Sequence, residues 1–223
     1  MGLSNQQIER YARQIIVPGV GGIAEERLLS SRIMLAGKAS DVASVLAYLV
    51  GAGVGEIQLH LPKRDPAEQD SLIRRSNQLN PEVLVKPAGR SVTGLNLVFT
   101  LGADPETREL ITSSWLAGAG IPVIFCRLDA PARIAVFSGT PPCLLCADTD
   151  LLAPSKEREN NAGFVTMIAA TEAFKLLANI GPVPPPTLVQ FSGFTCATRQ
   201  IRQKSLTAAC ACSAGRSLVT NQQ

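Results

Sequence analysis

Apolar positions recur along this chain in two alternating periods. Ile8, Tyr11, Ala12 and Ile15 fall at helical spacing behind Ser4-Asn5-Gln6-Gln7, which offers a capping box. A first helix is therefore predicted, ending near Pro18-Gly19. Residues 19–31 read as a glycine-containing connection with a short amphipathic turn. Arg32-Ile33-Met34-Leu35-Ala36 reads as a buried strand, and Asp41 to Ala52 as a helix packed on a sheet through Val42, Val45, Leu46 and Leu49. Gly53-Val54-Gly55 closes that helix, and Glu56-Ile57-Gln58-Leu59-His60-Leu61 is a second strand. Strand, helix and strand within about thirty residues make a βαβ unit.

The same alternation continues. Gln69 to Leu79 is a polar helix stopped by Asn80-Pro81. Val83–Lys86 and Asn96–Leu101 are strands, Pro105 to Ala119 is a helix, and Ile121–Arg127 and Arg133–Ser138 are strands. A cysteine-bearing loop, 140–160, precedes the longest apolar helix, Gly163 to Ile180. The stiff stretch Gly181-Pro182-Val183-Pro184-Pro185-Pro186 follows. Segments 187–194 and 197–206 then form a terminal hairpin. The predicted fold class is α/β: a Rossmann-like, doubly wound, mostly parallel sheet with an antiparallel C-terminal portion. One domain spans 1–223, with a helical arm (1–31), a nucleotide-fold half (32–139) and a cysteine loop, long helix and hairpin (140–223).

Composition narrows the class. The chain has 223 residues, 46% of them apolar, which supports a substantial core and excludes a disordered or fibrous protein. Its net charge of +3 is too small to indicate nucleic acid. No apolar run reaches the ~18 residues of a membrane span, and the N-terminus carries no charged-then-apolar signal. The expectation is a soluble cytoplasmic protein. Its six cysteines cluster as metal ligands do, rather than as a secreted disulfide framework.

The turn after the first strand, Gly37-Lys38-Ala39-Ser40-Asp41, stands where a nucleotide-binding α/β protein has a glycine-rich loop. Only Gly37 remains of that pattern. Ser40 or Asp41 is expected to cap the following helix and so occupy the N–H groups that phosphate would use.

Arg10-Tyr11-Ala12-Arg13-Gln14-Ile15, the βαβ unit ending in Leu49-Val50-Gly51-Ala52-Gly53-Val54-Gly55, Asn96-Leu97-Val98-Phe99, Pro142-Cys143-Leu144-Leu145-Cys146 and Ala170-Thr171-Glu172-Ala173-Phe174-Lys175-Leu176-Leu177 carry a resemblance. In this order and spacing they resemble the ubiquitin-activating-enzyme-like adenylyltransferases, the MoeB/ThiF/HesA family, over residues 8–214. The resemblance implies ATP and Mg²⁺ binding, and adenylation of the C-terminal glycine of a ubiquitin-like sulfur carrier. It also implies a homo- or heterodimer in which Arg13 reaches the partner's nucleotide. Gly37, Lys38 and Arg13 are the candidate nucleotide-site residues. Cys143, Cys146, Cys210 and Cys212 correspond to a structural zinc site, although Cys210-x-Cys212 is one residue tighter than the family pattern.

Departures from the pattern gather at the nucleotide site. Besides the lost glycines, His60-Leu61-Pro62 stands where an acid should hold the ribose. Lys63-Arg64-Asp65-Pro66 replaces the segment that grips the triphosphate, with Arg74 and Arg75 on a solvated helix face as substitutes. The Mg²⁺-binding acid aligns with Ala103, one position before Asp104, itself a natural helix cap. Alternation along the strand turns His60 outward. Cys126 and Cys196 read as packing residues, and no catalytic residue is assigned. These features describe a catalytically silent family member that binds a ubiquitin-like carrier protein or an active relative. Two alternatives stand beside it: an active ATP-dependent adenylyltransferase of a sulfur carrier, and an α/β protein binding a small molecule.

Overall fold

The computed structural model describes residues 2–62, 65–102, 104–116, 120–129, 132–138, 162–181, 187–192 and 197–202. Its order is α1 (Asn5–Ile15), α2 (Gly21–Ser30), β1 (Arg32–Gly37), α3 (Ala39–Gly51), β2 (Glu56–His60), α4 (Pro66–Leu79), β3 (Leu84–Pro87), β4 (Leu97–Leu101), α5 (Pro105–Leu116), β5 (Val123–Arg127), β6 (Ala132–Phe137), α6 (Ala162–Ala178), β7 (Thr187–Ser192) and β8 (Ala197–Arg202). The strands form one sheet in the order β3-β2-β1-β4-β5-β6-β7-β8. Pairing is parallel from β3 through β5 and antiparallel from β5 to β8. This is the doubly wound α/β sheet that the sequence predicts. Among the described residues no helix is long and apolar enough to cross a membrane.

Both faces of the central strands β1, β2, β4 and β5 are buried, because crossover helices cover a parallel sheet on both sides. Ile33, Leu35, Leu97, Phe99, Ile124, Cys126, Ile134 and Val136 point to one face, under α3, α4 and α6. Met34, Val98, Val123, Phe125, Ala135 and Phe137 point to the other, against Ile111 of α5 and Val92. On α3, Val42, Val45, Leu46, Leu49 and Val50 form the buried stripe. Burial raises the Cys126 thiol pKa well above its usual range, and the Asp41 carboxylate adds to the effect. The thiol is therefore inert packing, as expected.

The N-terminal arm is locked to the domain by two glycines. The Ser4 capping box forms as predicted, with Gln7 and Ser4 exchanging hydrogen bonds. Residues 21–30, expected as a short turn, form a full helix instead, because Ala24 and Leu28 gain burial against the domain. Tyr11 is buried on Gly53, where an added Cβ would lie 2.8 Å from the ring and where φ is +87°. A Cβ on Gly55 would lie 1.9 Å from the Leu29 carbonyl oxygen. The arginine-tyrosine opening and the Gly-Ala-Gly-Val-Gly helix end are thus halves of one packing unit.

Asn80 completes that unit. Its buried side chain donates to the Tyr11 hydroxyl at 2.8 Å and to the Val50 carbonyl at 2.9 Å, and accepts from the Glu82 N–H. Asn80→Ala orphans these buried groups. It is expected to cost about 2–3 kcal/mol in urea unfolding, whereas an exposed control, Asn77→Ala, stays within about 0.5 kcal/mol.

Candidate functional site at the carboxyl edge of the sheet

Strand order reverses between β1 and β4, and an open α/β sheet parts its loops at such a point to hold a ligand. The chain dictates a tight floor for that crevice. Gly37 ends β1 at φ +150°, and an added Cβ would sit 2.9 Å from Leu101 Cβ, 3.0 Å from its carbonyl oxygen and 3.2 Å from Val42. Gly37 is thus demanded by packing and backbone geometry.

Only Lys38 separates β1 from α3. Lys38 is itself the N-cap and makes no side-chain capping bond. The expected cap by Ser40 or Asp41 is therefore corrected: both lie inside the first turn, where the Ser40 hydroxyl donates to Asp41 Oδ1 at 3.2 Å. The strand ends too close to the helix for the cap to fall further along. Asp41 still places negative charge at this helix end, which favours the helix and opposes an anion.

His60 corrects a second expectation. Rather than facing solvent, it is 5% exposed. Its Nε2 stands 3.9 Å from Asp104 Oδ1 and 3.8 Å from Glu106 Oε2. His60 lies in register with Ala36 of β1, and Gly37 of β1 lies in register with Leu101 of β4. Because β1 lies between β2 and β4, the approach of the imidazole to Asp104 passes over the carboxyl end of β1. Asp104 caps α5 as expected, accepting from the Thr107 N–H at 2.9 Å and from the Thr107 hydroxyl. Burial alone would raise the Asp104 carboxyl, but His60 and the two Thr107 donors outweigh it and hold the pKa at about 2.

Arg13, in the last turn of α1, and Lys38 are exposed, and so are Arg74 and Arg75 on α4. Leu61, beside His60 at the end of β2, is buried at 4% exposure. The adjacent cleft of Leu59, His60, Leu61, Gln69, Pro87 and Ala88 holds about 70 Å³. That is far below the several hundred Å³ of a typical ligand pocket. Cys143, Cys146, Cys196, Cys210 and Cys212 lie outside the described residues. Reading strand alternation missed His60 and Glu106. The signal that could have found His60 is a lone imidazole in a strand buried on both faces.

No protein-family model matches the chain. Among curated proteins it is similar to the molybdopterin-synthase adenylyltransferase of Salmonella typhimurium, 24% identical over 245 residues, covering 90% of this chain and 94% of that protein. It is also 25% identical over 259 residues to the adenylyltransferase and sulfurtransferase MOCS3 of Drosophila grimshawi. There the match covers 98% of this chain but only 57% of the relative, so the chain spans little more than half of that protein. Among solved structures, PaaA superposes with a TM-score of 0.65 at 17% identity, over 92% of this chain and 76% of PaaA. E. coli MccB solved with ATP gives 0.70 at 11% identity, over 92% and 74%. These structural likenesses speak to the fold. The curated relatives and the ordered motifs support assignment of the chain to the ubiquitin-activating-enzyme-like adenylyltransferase family of MoeB, ThiF and HesA.

Proposed function

We propose that this chain is a catalytically silent relative of the adenylyltransferases and acts by binding partners: a ubiquitin-like carrier protein, or an active relative with which it pairs. The observation that carries this reading is the buried His60 lying over the end of β1 toward Asp104 and Glu106, where a nucleotide would rest on the turn. His60-Leu61-Pro62 in place of a ribose-binding acid, Ala103 in place of a Mg²⁺ ligand and the side chains of Lys38 and Ala39 in place of glycines support it. Phosphoryl-site chemistry rests on positioned charge, and Lys38, Arg74 and Arg75 are exposed.

Partner binding has its own support. Ile8, Ile16, Val17 and Ile23 of the N-terminal arm are 47%, 77%, 47% and 70% exposed. Arg13 lies in the same arm and is exposed, so it is free to reach a second subunit. E. coli MccB has been solved together with MccA, so a fold of this type can hold a partner chain. One observation favours the active alternative. The tip of α3 carries no side-chain cap and bears Lys38, which leaves N–H groups and a cation for an anion.

Cys143, Cys146, Cys210 and Cys212 supply four thiols, the donor set that suits tetrahedral Zn²⁺, and we assign them a structural zinc. One equivalent of tightly held zinc per chain is the expected analysis. The functional test is pyrophosphate exchange with Mg-ATP and a carrier protein ending in Gly-Gly. No exchange above background is expected, and exchange that requires the carrier would establish the active alternative.

A further inference from the structure

We propose that His60, Asp104 and Glu106 bind a borderline divalent transition cation, of the Zn²⁺ or Co²⁺ class, at the carboxyl end of β1. This inference stands whether or not nucleotide binds. His60 Nε2 is excluded from solvent and has no hydrogen-bond partner. A buried polar atom left in that state is destabilising by about 1–3 kcal/mol. A hydrogen bond from this nitrogen would bring one carboxylate to roughly 2.7–3.2 Å. Instead Asp104 and Glu106 stand off almost equally, at 3.9 and 3.8 Å.

Such a stand-off matches ligands that share an ion. Metal bonds of about 2.0–2.2 Å on either side of a cation place nitrogen and oxygen roughly 3–4 Å apart. Thr107 anchors the Asp104 carboxylate through its N–H and hydroxyl, as outer-shell partners orient metal ligands. Glu106 is 59% exposed and free to swing inward. That movement is required, because among the described residues no three such side chains are already closed around an ion. One imidazole with two carboxylates selects borderline ions over Mg²⁺ and Ca²⁺, which prefer all-oxygen shells.

The test is a Co²⁺ titration of the full chain, followed by visible absorption. Cysteine-bound Co²⁺ announces itself by thiolate charge transfer, whereas a nitrogen–oxygen site gives only weak d–d bands. The wild-type chain is expected to take up Co²⁺ without thiolate charge transfer, in addition to any ion on the cysteines. His60→Ala should weaken that uptake by roughly 100-fold, and Glu106→Gln, on an exposed side chain that folding does not need, by roughly 10-fold. Excess Mg²⁺ should not displace the ion. Equal uptake by the wild type and both variants, or absorption of thiolate character alone, would overturn the proposal. If His60→Ala fails to fold, Glu106→Gln decides the matter by itself.

Discussion

Gly55→Ala is expected to lower the urea midpoint of the domain sharply. The added Cβ would lie 1.9 Å from the Leu29 carbonyl oxygen and 2.8 Å from its carbon, so backbone must move against backbone. The Gly55 N–H also donates to the Leu28 carbonyl at 3.2 Å, which ties the end of α2 to the start of β2. Separating these segments would open the contact beneath Tyr11 as well. A loss of about 3–5 kcal/mol follows, large against the total stability of a domain. Gly51→Ala is the control: nothing lies within 4 Å of its Cβ, and it sits in a helix with no left-handed backbone. It should be neutral or stabilising by up to about 0.5 kcal/mol. Similar urea midpoints for the two variants would contradict the packing described.

Glu25 gives the second large effect, and it depends on pH. The side chain is buried in α2, and neither carboxylate oxygen has a hydrogen-bond partner. Burial raises its pKa to about 7. In the unfolded chain the group ionises near its ordinary value, about 4.3. Between these values the folded state holds a proton that the unfolded state has released, so stability is full below the lower pKa and falls as pH rises to about 7. Glu25→Gln removes this slope. Glu25→Met also removes the orphaned polar atoms and should stabilise the protein at pH 8 by about 1–3 kcal/mol, after allowance for solvent relaxation near the surface. Wild-type and variant stabilities that run parallel between pH 5 and 8 would rule this out.

The sequence and the structure part company at particular residues. The βαβ unit was legible because α3 carries its apolar residues on one stripe and the strands are short, buried and bounded by glycine. His60 was misread because alternation reports a face only when one side of a sheet meets water. In a parallel strand covered on both sides, every position of β2 after Glu56 is buried. The cap of α3 was misplaced because Ser40 and Asp41 are favourable cap residues, yet Gly37 turns so tightly that the helix begins before them. Helix α2 was underestimated because its own amphipathic signal is weak and its burial comes from tertiary contact. Asp104 was read correctly as a cap, since Asp-Pro before a helix is a local signal. Its second neighbour, His60, is distant in sequence and needed the fold to reveal it.

We propose that the crevice over β1 no longer accepts a triphosphate. Isothermal calorimetry with Mg-ATP tests it most directly. The wild-type chain should give no saturable heat at micromolar concentrations. Saturable binding at those levels, abolished by Lys38→Ala, would contradict it.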